Sequence, residues 1–307
     1  MTRVAAIDCG TNSIRLLLAD VEGTTLTDHV RRMEVVRLGQ GVDRTGRLSA
    51  EALVRTFTAV EAYAREIEEY GAERIRFVAT SASRDAANAG DFTAGVRQRL
   101  GIDPEVVAGS EEAALSFAGA TRELQGLAGI DAPYLVIDIG GGSTEFVRGS
   151  STVEAARSVD IGCVRLTERR LATDPPTVAE IAATIADIDT AIDEAAKTVP
   201  LGGGLTVVGL AGSVTTVAAI ALGLSAYDPV AIHHSRISAA DVSVITSALV
   251  AMAREERAAI GVMHPGRVDV IGAGALVLDR ILQRVGAAEV VVSEHDILDG
   301  IAWSIAD

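Results

Sequence analysis

The stretch VIDIGGGSTEF, Val136 to Phe146, places three consecutive glycines after an apolar strand ending on Asp138 and follows them with Ser143, Thr144 and Glu145. Glycine weakens strands and helices because it loses more backbone freedom on folding than any other residue. A triplet at a strand end therefore suits a task that side chains would obstruct, and close approach of backbone to an anion is such a task. Successive amides of Gly140, Gly141 and Gly142 can form a concavity for phosphate, with the Ser143 hydroxyl as a further donor. The same pattern opens the chain. AAIDCGTNSIRLLL aligns with LVIDIGGGSTEFVR, so that Asp8 matches Asp138, Gly10 matches Gly140 and Ser13 matches Ser143, with Thr11 and Asn12 completing the first turn. A carboxylate beside bound phosphate is repulsive unless a cation lies between them. Asp8, Asp138 and Glu145 are accordingly candidate ligands of Mg²⁺ (or Mn²⁺), a hard ion that takes few protein carboxylates and keeps its waters. Each aspartate has the alternative of capping its own turn.

Two further stretches can add chemistry. In VVAGSEEAAL, Ser110 is expected to cap a helix with Glu111 and Glu112 in its first turn. Acids there gain from the helix dipole, and one of them can instead serve as a general base for water; spacing alone leaves both readings open. In FVATSASRDA, Arg84 follows a strand and can clamp phosphate in two-pronged fashion. Gly212 and Ser213 of GLAGSVTT form another small-residue turn after a strand. No GxxxxGK[ST] loop is present, and GAGA at 272–275 reads as close helix packing. The five histidines show no metal-ligand spacing, and Cys9 and Cys163 form no CxxC pair.

The elements that must hold these residues alternate strand and helix, which makes the class α/β. Of 307 residues 49% are hydrophobic but only 3% aromatic, so the core is aliphatic. Expected strands are 3–8, 13–21, 24–38, 74–79, 105–107, 134–138, 144–148, 153–159, 205–209 and 289–292. Helices are expected at 50–70, 92–100, 110–124, after Gly162, and at 177–199, 214–224, 239–252, 254–260, 265–285 and 297–305. The offset of 130 residues between the two hairpins is a domain's length, which implies duplicated halves with a cleft between them. The boundary is placed in QGLAGIDAP, giving domains 1–124 and 125–307, with the terminal segment near 297–307 packing back onto the first. Net charge is −15, which argues against nucleic acid and anionic membranes as partners. The uncharged stretch between Lys197 and Asp228 contains PLGGG and GLAGS and reads as strand, turn and helix, not as a membrane span. The expected compartment is the cytoplasm.

Taken in order, AIDCGTNSIRLLLADV, VRLGQGV, FVATSASRDAAN, VVAGSEEAALSFAGA, LVIDIGGGSTEFV, DIGCVRLTE and GLAGSVTTVAAI resemble the exopolyphosphatase / guanosine pentaphosphate phosphohydrolase family in its short form. The resemblance runs from Ala5 to about Ile220, and GRVDVIGAGALVLDRIL extends it to Leu282. It implies two related actin-like (ribonuclease H-like) ATPase domains around a central cleft. It also implies Mg²⁺-dependent removal of terminal phosphate from inorganic polyphosphate, and action on guanosine pentaphosphate to give the tetraphosphate. In the family's terms Glu112 is the catalytic base, Asp138 and Glu145 are catalytic carboxylates and Arg84 binds phosphate. A homodimer is expected from the family alone. The sequence departs from the family at ILDG, where Asp299 stands in place of a usual arginine. The chain ends without the extra helical domain of long members, so short polyphosphates are the expected substrates. An ATPase or phosphotransferase of the same fold, or a non-catalytic alarmone sensor, are the alternatives.

Overall fold

The computed structural model describes residues 1–23, 25–124 and 127–306. Thr24, where the third strand is expected to begin, Gln125 and Gly126 of the boundary loop, and the last residue of the chain lie outside the described residues. The chain divides into two compact units, Met1–Gly119 with Ile297–Asp307, and Ala120–Asp296. The division falls a few residues before the expected 124/125 boundary.

The first unit runs β1 (Thr2–Cys9), β2 (Ser13–Glu22), β3 (Thr25–Val35), α1 (Val42–Thr45), α2 (Ala50–Tyr70), β4 (Arg74–Ala79), α3 (Ser81–Asp85), α4 (Ala89–Leu100), β5 (Glu105–Val106) and α5 (Gly109–Thr121). Its sheet has the order β3-β2-β1-β4-β5. The β1–β2–β3 meander is antiparallel, whereas β1, β4 and β5 are parallel. Apolar residues recur along α2 at helical spacing, and Val60, Tyr63 and Ile67 are buried. Ser49 caps that helix and Gly71, at φ 71°, ends it.

The second unit runs β6 (Tyr134–Ile139), β7 (Thr144–Gly149), β8 (Val153–Val159), α6 (Cys163–Arg170), α7 (Val178–Ala196), β9 (Thr206–Leu210), α8 (Ala211–Ala221), α9 (Pro229–Ile232), β10 (Arg236–Ser238), α10 (Ala239–Ala251), α11 (Arg254–Ala258), α12 (Ile271–Val285) and β11 (Glu289–Val292). Its sheet order, β10-β11-β9-β6-β7-β8, repeats the first sheet with β6 in the place of β1, and adds one antiparallel edge strand. The antiparallel β6–β7–β8 meander and the parallel β6, β9 and β11 follow the same pattern. The repeated sequence is thus the start of a repeated sheet.

The chain then forms α13 (Ile297–Ser304) in the first unit, where Ile297, Leu298, Ile301 and Ala302 join Val4, Ala6, Leu17 and Ala19 in one apolar cluster. Asp299, on this helix, is 1% exposed. Arg31 of β3 reaches it with Nη2 at 2.5 Å from Oδ1 and Nη1 at 3.3 Å from Oδ2. Burial works against the Arg31 charge, yet the Asp299 and Asp28 carboxylates hold its pKa above the usual value. The acid that departs from the family pattern therefore has an arginine of its own.

Several boundaries differ from expectation. Ser110 lies inside α5, which starts at Gly109, and does not cap it. AGS at 211–213 is the first turn of α8 and not a loop before it, because Ala211 takes the left-handed φ of 65° that turns strand into helix. The last long helix begins at Ile271, six residues after Pro265. The short elements α1, α3, α9 and β10 carry too little periodicity to be read from the sequence.

Candidate functional site

The two hairpin turns are built alike. In the first unit the Gly10 amide donates to the Ser13 carbonyl at 2.9 Å, and in the second the Gly140 amide donates to the Ser143 carbonyl at 3.0 Å. In each turn the carbonyls are occupied by the segment that follows the third strand of the meander. Asn12 and Thr11 carbonyls accept from the amides of Arg37 and Gly39 at 2.8 and 2.9 Å. The Gly140 carbonyl accepts from Cys163, and that of Gly141 from Val164 and Arg165, at 2.9–3.0 Å. With carbonyls turned to the protein, the amides of Thr11 and Asn12, and of Gly141 and Gly142, make no hydrogen bond among the described residues. Gly142 is buried, and a buried amide without a partner is costly. Such a set of amides suits an anion. Gly162 lets the α6 end lie flat on this turn, since a Cβ there would meet the Gly141 carbonyl carbon and oxygen at 2.5 Å.

The carboxylates next to the turns differ. Asp8 faces Arg15 across the β1–β2 ladder, and Arg15 donates to Asp8 Oδ2 from Nη2 at 2.7 Å and Nε at 3.0 Å. Asp138 faces Glu145 across the β6–β7 ladder. Opposed residues of an antiparallel pair share a face with Cβ atoms about 5 Å apart. Asp138 is 8% and Glu145 1% exposed, so two carboxylates are gathered in a dry place. Ser158 of β8 donates to Glu145 Oε1 at 2.7 Å. This oxygen-only donor set fits a hard divalent cation. Asp8 is less suited to that task, because Arg15 already neutralises it.

The two acids of α5 separate. Glu111 is exposed and bonded to Arg76 at 2.6 Å. Glu112 is 7% exposed, and its Oε2 accepts from Arg84 Nη1 at 3.3 Å. Arg84 Nη1 also donates to the Val107 carbonyl at 2.9 Å. Its Nε–Nη2 edge, the one suited to a two-pronged phosphate contact, carries no bond among the described residues. Thr11 Oγ1 lies 2.9 Å from Ser81 Oγ, which ties the first turn to the start of α3 and hence to Arg84. Ser83 Oγ beside it is buried without a hydrogen bond among the described residues. Asp8, Gly10–Ser13, Arg84 and Glu112 therefore belong to one unit, and Asp138, Gly140–Ser143, Glu145, Gly212 and Ser213 to the other.

At Gly212 a Cβ would fall 1.4 Å from Arg267 Nη1, so the guanidinium lies directly on this glycine. Arg267 also approaches Thr216 Oγ1 at 3.4 Å. Gly274 passes against Ser213, whose Oγ would be 2.1 Å from a Cβ there. Sequence reasoning missed Arg267 and Arg15. Arg15 was detectable by period two, sharing a strand face with Ser13; Arg267 gave no local signal.

The histidines have no ligand spacing in sequence, yet three of them meet. The His233 ring centroid lies 3.6 Å from that of His234 and 4.6 Å from that of His295. Glu123 Oε2 accepts from His295 Nδ1 at 3.1 Å and from His233 Nε2 at 3.4 Å. The Glu294 amide donates to His233 Nδ1 at 3.1 Å, which leaves the proton of the neutral ring on Nε2, the nitrogen that a metal would need. The cluster reads as a closed hydrogen-bond network. Burial, then the His295 and His234 charges, push the His233 pKa down to about 4. Burial also raises the thiol pKa of Cys9 and Cys163, so neither is a ready nucleophile.

Comparison with known proteins identifies the family. Residues 17–307 match the model of the Ppx/GppA phosphatase family. The chain is 51% identical to "Exopolyphosphatase 2" of Mycobacterium tuberculosis, over 100% of this chain and 99% of the relative. It is 37% identical to the "Guanosine-5'-triphosphate,3'-diphosphate pyrophosphatase" of Vibrio cholerae over 54% of this chain and 33% of that one. The solved structure of the Aquifex aeolicus PPX-GPPA enzyme superposes with a TM-score of 0.82 at 29% identity, covering 99% of each chain. No helix among the described residues is long and apolar enough to cross a membrane.

Proposed function

The chain belongs to the Ppx/GppA phosphatase family, and from that premise we propose that it hydrolyses the terminal phosphoanhydride bond of inorganic polyphosphate. The observation that carries the reading is the pair of hairpin turns whose carbonyls are held by the protein while their amides face away from it. In the first unit the turn amides, the Ser13 hydroxyl and the Nε–Nη2 edge of Arg84 bind phosphate oxygens, and in the second the turn amides and the Ser143 hydroxyl do the same. Glu112 is the general base. Arg84 beside it donates to its Oε2, and the α5 end holds it still. It takes a proton from water as the water oxygen bonds to the terminal phosphorus. The bridging P–O bond breaks, and the products are orthophosphate and a chain one phosphate shorter. Catalysis of this kind is positioning plus charge neutralisation. Asp138 and Glu145 would hold Mg²⁺ (or Mn²⁺), which when bound offsets negative charge on the phosphates. Gly212 and Ser213, with Arg267 upon them, add a further anion contact in the second unit.

Similarity to the guanosine pentaphosphate enzyme favours a second substrate, guanosine pentaphosphate, from which the same step yields the tetraphosphate. We place the protein in the cytoplasm, where its two buried free thiols stay reduced, and as a homodimer. The test is phosphate release from long polyphosphate, tripolyphosphate, guanosine pentaphosphate and ATP, by wild type and by Glu112→Gln. Wild-type turnover of polyphosphate, lost in the variant, supports the proposal. Turnover of ATP alone selects a nucleotide phosphatase, and tight guanosine tetraphosphate binding with no turnover selects a sensor.

A further inference from the structure

In the first unit at least eight of the fourteen arginines are paired with a carboxylate, among them Arg3 with Glu73, Arg32 with Glu66, Arg76 with Glu105 and Glu111, Arg97 with Asp103, and Arg99 with Glu61. Arg44, on α1, and Arg47, just after it, are different. Both are exposed, and neither guanidinium has an ion pair or hydrogen bond among the described residues. With Gln40 and Arg55 they line an open depression of about 590 Å³, in which Glu51 is the one acid. In a chain of net charge −15, three guanidinia against one carboxylate make a local exception. Neither Arg44 nor Arg47 pairs with a carboxylate among the described residues.

The depression is attached to the phosphate turn. Its wall begins at the 37–41 loop, whose Arg37 and Gly39 amides bond the carbonyls of Asn12 and Thr11. Arg55 fixes the same loop by donating from Nε to the Val36 carbonyl at 2.8 Å and from Nη2 to Gln40 Oε1 at 3.3 Å. A Cβ on Gly39 would meet Thr11 Cγ2 at 2.3 Å, so loop and turn lie in direct contact. A chain of phosphates seated on the 10–13 turn thus has a cationic surface next to it within one unit.

We propose that Arg44 and Arg47, with Arg55 behind them, form a subsite for the phosphates of a linear polyphosphate that lie beyond those on the turn. The inference rests on the polyphosphate reading given above. Guanidinia bind phosphate through paired N–H donors, and exposed sites of this kind weaken with salt. The subsite rewards substrates long enough to reach it, so it sets chain-length preference and leaves the reacting phosphorus untouched.

The experiment compares wild type, the double variant Arg44→Gln/Arg47→Gln and the control Arg65→Gln, an exposed arginine on α2 outside the depression. KM and kcat are measured for long-chain polyphosphate and for tripolyphosphate, at two salt concentrations, and equilibrium binding of long-chain polyphosphate is measured directly. The double variant is expected to raise KM and Kd for the long chain about tenfold, to shift tripolyphosphate far less, and to flatten the salt dependence; the control matches wild type. Equal effects on the two lengths, no effect on either, or the same loss in the control overturns the subsite. Wild type that binds long polyphosphate but hydrolyses none overturns the proposed function instead, and the binding comparison still decides the subsite.

Discussion

The two hairpins share a sheet position, a turn and a hydrogen-bond plan, and differ in the residue opposite the repeated aspartate. Asp8 looks across at Arg15, whereas Asp138 looks across at Glu145. The first copy is electrostatically complete, because its buried carboxylate has a guanidinium at 2.7 Å. The second copy gathers two buried carboxylates. The repeat therefore gives two like turns from one backbone, and one strand position sets a carboxylate against a guanidinium in the first and against a second carboxylate in the second. The proposed base, Glu112, with Arg84, lies in the unit whose aspartate faces Arg15.

The strongest challenge to this division of labour is Glu112→Gln, which keeps the shape of the α5 end and removes the base. It is expected to lower kcat by roughly a thousandfold, the range for a positioned general base, with KM little changed. Normal rates would move the base elsewhere.

The glycines that press on each turn come next. Gly162→Ala drives a methyl into the Gly141 carbonyl group, a backbone wall that cannot rotate away. A displacement of the turn by about 1 Å is expected to cost roughly a hundredfold in kcat/KM. In the first unit Gly39→Ala meets mainly Thr11 Cγ2, a side chain that can turn at the expense of its Ser81 contact. The loss there is expected to be several-fold. Equal losses would mean that the turns are not held in the way described.

The aspartates sharpen the comparison through stability. Asp8→Asn removes the carboxylate to which Arg15 donates and is expected to cost about 2 kcal/mol, less than for a fully buried pair because the Arg15 side chain is 22% exposed. Asp138→Asn is read by thermal melting with Mg²⁺ against EDTA: added Mg²⁺ should stabilise wild type and not this variant. Equal stabilisation of the two by Mg²⁺ would contradict the assignment.

The smallest effect belongs to the histidine cluster. The folded His233 pKa, about 4, lies below its ordinary 6.5, so on acidification the unfolded chain takes up the proton first. The stability this group contributes is fully present above about pH 6.5 and is lost as pH falls toward 4. His233→Gln should flatten the pH dependence of the melting temperature in that window without altering polyphosphate turnover.

How far these features were legible follows from their range along the chain. The β1–β2 and β6–β7 hairpins, α2 and β4 could be read because alternation, glycine stops and the repeat are local signals. The end of β9 could not, because Ala211 adopts a glycine-like φ that no propensity foretells. The Gly-rich turns and Glu112 were legible by type, but which of Glu111 and Glu112 is buried was not, since that depends on Arg76 and Arg84 arriving from other elements. The Glu123–His233–His295 meeting and the Arg31–Asp299 pair join residues more than fifty positions apart. No spacing rule reaches that distance.

Amide resonances of an isotopically labelled Glu112→Gln protein test the central claim most directly, with tripolyphosphate and Mg²⁺ added. The account predicts that Gly141 and Gly142, and also Thr11 and Asn12, shift together and saturate with the ligand. Ligand binding that leaves either pair unmoved would contradict it.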